Sequence, residues 1–417
     1  MSRRVNLLGL VTISGICIFL LLFANHRTNN YPVDFYRPRP MYHHHREPPS
    51  MAGDHYVSNG GGGASTTQNS SIRIQDVIVA QRERILEEMM LFDYPAGRFR
   101  QPAMQLADLT PETGGTPIRS VVITTWRSGS TFLGDILNAM PGNYYHYEPL
   151  LNFDIIQVRS EPLATQAVAN LKKLLRCDYT GAGMRDYLDY GQQHTYLFKH
   201  NTRLWRLCLL YPNFCWRSDF LTPLCRLFPL QSMKVVRLRL AIAGQLLEDS
   251  RLNVRIILLI RDPRGTLQSR KHREWCPGRP DCDHPPTMCR DMVADFYAAQ
   301  LLLQKHPDRF RVVRYEDLSL NPHEMTQELL DFYGLPMDPE VEEFLESHTK
   351  LDIGGVSSTY RDSKSAPFHW IKDLSYEEID TIQNGCTKAM ELWGYAKATN
   401  VTILSNKFDP ILPYSLT

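Results

Sequence analysis

The sequence lacks an internal repeat, lacks the lysine that a nucleotide-hydrolysing phosphate loop requires, and carries almost no net charge. Its 417 residues hold 46 Lys and Arg against 45 Asp and Glu, a formal charge of +1. A chain so balanced is not a generally basic, nucleic-acid-coating protein, and no nucleic-acid partner is expected. Cysteine is sparse, at 9, which excludes a small disulfide scaffold. The 24 Gly and 27 Pro are too few for a collagen-like chain. What is present, 43% hydrophobic and 22% charged residues, is a globular composition. The length allows two or three domains, or one large α/β domain.

The charge is unevenly spread. Residues 199–275 carry 15 Lys/Arg against 5 Asp/Glu, whereas 316–380 carry 16 acids against 4 bases. The basic stretch is where an anionic ligand is expected.

Residues 5–24, VNLLGLVTISGICIFLLLFA, form an apolar run preceded by Arg3 and Arg4. About 20 apolar residues span a bilayer as a helix. A cleaved signal peptide is the competing reading, but the run is long for one and Ala24-Asn25-His26 is a poor cleavage site. The arginines favour a cytoplasmic tail at 1–4, a signal-anchor at 5–24 and a type II single-pass topology with the rest luminal. Cysteine usage agrees. Apart from Cys17 in the anchor there are eight: Cys177, Cys208, Cys215, Cys225, Cys276, Cys282, Cys289 and Cys386. In an oxidising lumen, disulfides are expected of them. Cys276, Cys282 and Cys289 with His272 and His284 match no common zinc spacing, so no metal is expected. Asn69 and Asn400 begin glycosylation sequons.

Residues 25–116 read as a luminal stem, rich in Pro, His, Ser and Gly over its first part. Ile74, Val77, Ile78, Ile85, Met89 and Phe92 then fall at helical spacing. That helix either packs on the domain or forms a short coiled coil supporting a homodimer. The compact domain is expected over 117–417. Strands are expected at Val121–Thr125, Lys234–Leu238, Val254–Ile260 and Phe310–Arg314. Helices are expected at Thr131–Asn138, Ala241–Asp249, Pro263–Arg273, Cys289–Lys305, 322–333, 339–347 and 375–392. Apolar strands alternating with helices predict an α/β fold with a central parallel sheet flanked by helices.

Two segments carry the chemistry. Residues 120–133, SVVITTWRSGSTFL, read as a buried strand, a small-residue turn and a helix start. Backbone N–H groups and the helix dipole at such a turn cradle an anion, with Arg127 as fixed cation and Ser128, Ser130 and Thr131 as hydroxyl donors. Gly129-Ser130-Thr131 stands where a Walker loop would have GK[ST], without the lysine, which disfavours nucleoside triphosphate hydrolysis. Residues 255–270, RIILLIRDPRGTLQSR, read as a strand ending in Arg261 and a helix begun by Asp262-Pro263. Arg261 and Ser269, eight residues apart, could hold a second phosphate.

With both segments in hand, the sequence resembles the sulfotransferases that use 3′-phosphoadenosine 5′-phosphosulfate (PAPS). Trp126, Arg127, Ser128, Gly129, Ser130, Thr131 and Phe132 resemble that family's 5′-phosphosulfate loop. Arg261, Asp262, Pro263, Arg264, Gly265, Thr266, Leu267, Gln268 and Ser269 resemble its 3′-phosphate motif. The Golgi galactose/N-acetylglucosamine/N-acetylgalactosamine 6-O-sulfotransferase group is most similar. Glu148-Pro149, the lysine strand Met233–Arg237, Arg314–Leu318 and Phe332–Leu335 resemble its segments, and Tyr360–Lys364 resembles a loop that closes over the donor. Cys208–Cys225 and Cys276–Cys289 match only loosely. The resemblance covers 118–395 and implies a P-loop-like sulfotransferase fold, PAPS as donor co-substrate without metal, a glycan acceptor and a Golgi membrane location.

Under that resemblance, Glu148 is the general base for a sugar hydroxyl, with His146 as rival and a paired buried Glu as the bland alternative. Arg127 and the amides of 128–131 stabilise the leaving phosphate, and Lys234 contacts the sulfuryl group or acceptor. The two motifs are expected to grip opposite ends of one bisphosphorylated adenosine. Trp126 and Trp370 are candidates for adenine stacking or for core. The alternatives are a P-loop kinase-like enzyme, to which the missing lysine is adverse, and a non-catalytic luminal glycan-binding protein. The choice among galactose, N-acetylglucosamine and N-acetylgalactosamine stays open.

Overall fold

The computed structural model describes residues 72–94, 103–353, 358–403 and 408–416. The segments read from the sequence as a cytoplasmic tail (1–4), a signal-anchor (5–24) and the first part of a stem, with Asn69, lie outside them. Among the described residues no helix is long and apolar enough to cross a membrane. The compact unit runs from Ser71 to Thr417 and so includes the amphipathic helix that precedes residue 117.

Five strands build the sheet: β1 (Ile118–Ile123), β2 (Asn143–Tyr147), β3 (Leu230–Val235), β4 (Val254–Ile260) and β5 (Phe310–Arg314). Their order is β2-β3-β1-β4-β5, and every neighbouring pair is parallel. The helices used below are α1 (Ile74–Glu88), α2 (Ser130–Ala139), α3 (Ala182–Gln193), α4 (Thr202–Leu210), α5 (Ser218–Cys225), α6 (Pro263–Lys271), α7 (Pro285–Lys305) and α8 (Tyr376–Trp393). All residues of β1, β3 and β4 are buried. Parallel strands need crossovers, which cover the sheet faces and leave their sequences near-continuously apolar. The order reverses at β1, and in such sheets ligands bind beyond the carboxyl ends of the strands at the reversal. Both phosphate motifs follow strands that meet there, β1 and β4.

β4 and β5 and most helices lie where the sequence places them. Three differences are instructive. β1 begins earlier than expected because Arg119, charged but buried, spends its guanidinium on Leu175 O, Gln231 Oε1 and Leu252 O at 2.6–3.0 Å. β2, Asn-Tyr-Tyr-His-Tyr, is not among the strands expected from the sequence, yet pairs with β3 from Asn143↔Leu230 to Tyr147↔Lys234. The helix expected at 241–249 is two short turns meeting at Gly244.

All eight cysteines are paired: Cys177–Cys225, Cys208–Cys215, Cys276–Cys282 and Cys289–Cys386. The first two lie in the β2–β3 crossover, and the last ties α7 to α8. The cysteines weighed as zinc ligands are thus all in disulfides. α1 buries Val77, Ile78 and Ile85, and Glu88 at its end accepts from Arg203 of α4 (2.8 Å) and from Gly142 N (3.1 Å).

Candidate active site

The loop between β1 and α2 sits at the sheet reversal. Arg127 (φ 66°) and Gly129 (φ 86°) are both left-handed. Gly129 is required twice: a Cβ there would fall 2.1 Å from the Tyr315 ring, in a backbone region L side chains rarely adopt. No side chain caps α2 at its N-terminus. Its first N–H groups lack intrahelical partners by construction, so they face the turn as anion donors. Ser128 and Ser130 are buried, and Ser128 Oγ accepts from Thr124 Oγ1 at 2.6 Å. Phe132 stacks on Phe344, 5.9 Å between centroids, and is core.

The two motifs expected at opposite ends of a ligand meet directly. Arg127 Nε donates to Ser269 Oγ at 3.0 Å, and Arg261 Nη1 donates to the Arg127 carbonyl at 2.9 Å. Adjacency of β1 and β4 causes this, and a nucleoside bisphosphate, whose two phosphates hang from one ribose, suits it. On α6, Gly265 and Ser269 are four apart and share a face. Gly265 makes room for the Arg261 guanidinium, 3.2 Å from where its Cβ would lie. Arg261 also lies over the Tyr315 ring at 4.6 Å.

The opposite face of α6 is spent on the fold. Asp262 caps the helix by accepting from Arg264 N at 2.8 Å, and Pro263 fills the first turn. Arg264, fully buried, donates to Asp262, Gln383 Oε1 and Ala396 O and lies over the Trp370 ring at 4.1 Å. Gln268 donates to Asp373 at 2.7 Å, and Thr266 and Leu267 are buried. Of the nine residues in this run, Arg261, Gly265 and Ser269 therefore face the β1–α2 loop as the candidate cradle, and the other six are spent on the fold. Trp370 is core, as is Trp126, which packs with Val236, Cys276 and Cys282.

Positive charge is concentrated in the cradle. Burial lowers the Arg127 guanidinium to about 10, and Arg273 and Arg261 add repulsion. Burial likewise lowers Arg273, which feels Arg361 from the 358–364 segment. Arg261 Nε is buried with no hydrogen-bond acceptor among the described residues. Desolvated like charges in contact cost stability until an anion shares them.

Glu148 lies just past β2 with φ 44°. Its Oε1 accepts from Lys234 Nζ at 2.8 Å and its Oε2 from Arg237 Nη1 at 2.7 Å. Burial alone would raise this carboxyl, but Lys234 and Arg237 outweigh it and hold the group well below the usual carboxylate range. Burial opposes the Lys234 charge too, yet Glu148 and Tyr147 keep it above its ordinary value, and its ammonium sits 3.8 Å over the Tyr147 ring. His146, the rival base, is 2% exposed, and burial lowers it to about 3. It packs against Tyr144 at 5.2 Å, and the turn at Glu148 breaks the alternation that would have put both on one face. His146 is a core residue.

The matching family, the Sulfotransferase domain, covers residues 117–394. The chain belongs to the sulfotransferase family. Carbohydrate sulfotransferase 3 of Tetronarce californica is 29% identical over 338 residues, 70% of this chain and 76% of the relative. Carbohydrate sulfotransferase 5 of Mus musculus is 28% identical, covering 69% and 82%. Among solved structures, the sulfotransferase domain from the Synechococcus PCC 7002 olefin synthase is 16% identical with a TM-score of 0.34, over 66% of this chain and 95% of that one.

Three residues of this sulfotransferase escaped sequence reasoning. Tyr315 floors the loop, Tyr147 carries Lys234, and Arg273 adds to the cation cluster. Arg273 left a sequence signal as part of the basic stretch and Tyr315 as part of the family-like segment Arg314–Leu318, but neither was singled out as a site residue. Glu316, next to Tyr315, is buried and accepts from Asp262 N (2.9 Å) and the Tyr395 hydroxyl (3.0 Å). Burial, then the nearby Asp262 carboxylate, raise it from 4.5 to about 7. The folded state therefore keeps a proton that the unfolded chain releases above its ordinary carboxyl pKa. That contribution is fully present below 4.5 and is lost as pH rises through 7. Glu316→Gln should flatten this part of the stability–pH curve, worth on the order of 3 kcal/mol. Thermal melts of both proteins at pH 5 and pH 8 check it; an unchanged wild-type difference would refute the assignment.

Proposed function

We propose that this sulfotransferase moves a sulfuryl group from PAPS to the 6-hydroxyl of a galactose or N-acetylhexosamine residue in a glycan. The observation that carries the reading is the meeting of Arg127, Arg261 and Ser269 at the uncapped start of α2, with Glu148 just past β2 paired to Lys234 on β3. The carbohydrate names of the relatives support a glycan acceptor. The four disulfides suit an oxidising lumen, in keeping with a Golgi type II protein anchored by 5–24 and glycosylated at Asn69 and at the exposed Asn400.

Arg127, the amides of 128–131, Arg261 and Ser269 hold the two phosphates of the donor. The sugar O6 attacks sulfur as the bond from sulfur to the bridging phosphate oxygen breaks. The hydroxyl proton goes to Glu148, and adenosine 3′,5′-bisphosphate departs with the added negative charge. Arg127 and the loop amides stabilise that charge. Lys234 leaves Glu148 for the sulfuryl oxygens, which frees one carboxylate oxygen and raises its basicity when a proton must be taken.

The test uses the full chain. Calorimetry with adenosine 3′,5′-bisphosphate should give one saturable site. Labelled donor incubated with keratan, chondroitin and N-glycan oligosaccharides should leave label on a 6-hydroxyl. No heat with the bisphosphate overturns the donor assignment. Consumption of ATP with Mg²⁺ would favour a kinase-like enzyme instead.

A further inference from the structure

Aromatic side chains around Glu148 remain without a role in this chemistry. Tyr196 is 43% exposed and Trp275 is 40% exposed. Large exposed rings at the edge of a polar cleft are a feature of ligand sites, where one face must stay free. Tyr196 opens the short helical turn Tyr196–Lys199, which packs on β2, the strand that ends just before Glu148. His194, stacked on Tyr190 at 4.0 Å, meets the Tyr196 ring edge-on at 6.2 Å.

Trp275, in the turn after α6, is linked to the same centre through Trp126. It stands edge-on to Trp126, 6.4 Å between centroids. Trp126 in turn carries the Arg237 guanidinium 5.4 Å over its ring, and that guanidinium holds Glu148. The Trp126 Nε1–H is buried with no acceptor among the described residues. Trp275 is also held from behind. The adjoining Cys276–Cys282 loop is closed by its disulfide and by Arg270 donating to Cys282 O at 2.6 Å. Asp281 of that loop accepts from Gln157 N at 2.7 Å and from Arg159 Nη2 at 2.8 Å. A surface loop fastened at several points presents its exposed ring in a fixed place, and a fixed ring binds without an ordering cost.

A hexopyranose has an apolar C–H face and a rim of hydroxyls. Tyr and Trp match it with a flat apolar body and a polar tip. We propose that Tyr196 and Trp275 are acceptor-binding residues that stack on sugar rings of an oligosaccharide at the mouth of the Glu148 site. This assignment rests on the glycan reading above and adds which side chains choose the acceptor.

The experiment measures initial rates with labelled PAPS and a desulfated keratan oligosaccharide, using Tyr196→Ala, Trp275→Ala and the Phe variant at each position. Each alanine should raise the acceptor KM about tenfold, the worth of one ring contact, while each Phe stays close to wild type. Donor KM and adenosine 3′,5′-bisphosphate affinity should not move. Acceptor KM unchanged in both alanine variants overturns the proposal, and so does a parallel loss of donor affinity, which would make the rings supports of the fold. A wild-type chain that binds the bisphosphate but sulfates none of the glycans tested defeats the glycan reading itself, independently of how the variants behave.

Discussion

Glu148→Gln is expected to lower kcat by roughly 10²–10⁴, the range a positioned general base contributes. The amide keeps the size and one acceptor oxygen but cannot take the sugar proton. The substitution also leaves Lys234 and Arg237, both buried, without their counter-charge. Removing one partner of a buried pair destabilises by up to about 3–5 kcal/mol, so a lower melting temperature is expected alongside. The decisive measurement is calorimetry with adenosine 3′,5′-bisphosphate. With one negative charge removed from the site, the variant should bind this anion at least as tightly as wild type. Near-normal kcat would remove Glu148 from the chemistry. Lost bisphosphate binding would show that Glu148 shapes the cradle instead. The sign of its pH dependence is opposite to that of Glu316: a carboxyl held below its ordinary value stabilises above that value, and the contribution fades as pH falls through the folded one.

Arg127→Ala should cost kcat about 10²–10³, the usual consequence of deleting one preorganised donor at a developing charge. It should weaken bisphosphate binding too, because Arg127 orients Ser269 as well as facing the ligand. Arg127→Lys keeps the charge but not the planar fork, so it should recover only part of the loss. Steady-state kinetics on both variants, with bisphosphate affinity measured in parallel, tests this. Equal activity of the Lys and wild-type proteins would mean that charge alone matters. Wild-type activity in the alanine variant would end the role assigned to the loop.

Much of this architecture is legible in the sequence, and the failures have physical causes. β4 is readable because Val254–Ile260 is a nearly unbroken apolar run, and β5 because the β-branched pair Val312-Val313 and Phe310 stand in a short segment between polar turns. β2 is not, because its Tyr and His side chains supply no alternation of apolar with charged residues, and its partner β3 lies more than 80 positions away in the chain. The site shows the same division. Arg127, Arg261 and Ser269 are named by their motifs, but motifs carry no strand order, and only the adjacency of β1 and β4 turns two distant segments into one cradle. Arg264 and Gln268 belong to the matching run but face the core, a distinction set by helical period. Tyr196 and Trp275 bear no motif at all, because which large rings stay exposed is a property of the folded chain.

The tethered loops in the crossovers have a further consequence. On the proposed reading the donor is gripped by tight turns directly off central strands, where insertions would break the sheet. The Cys208–Cys215 and Cys276–Cys282 segments hang from long connections whose length the strands do not constrain. If Trp275 helps choose the acceptor as proposed, a lineage of such enzymes can exchange its sugar preference by rewriting the stapled Cys276–Cys282 excursion beside it while leaving the nucleotide machinery untouched. A reducing environment should, by the same logic, blur which glycan is chosen before it abolishes the grip on the nucleotide.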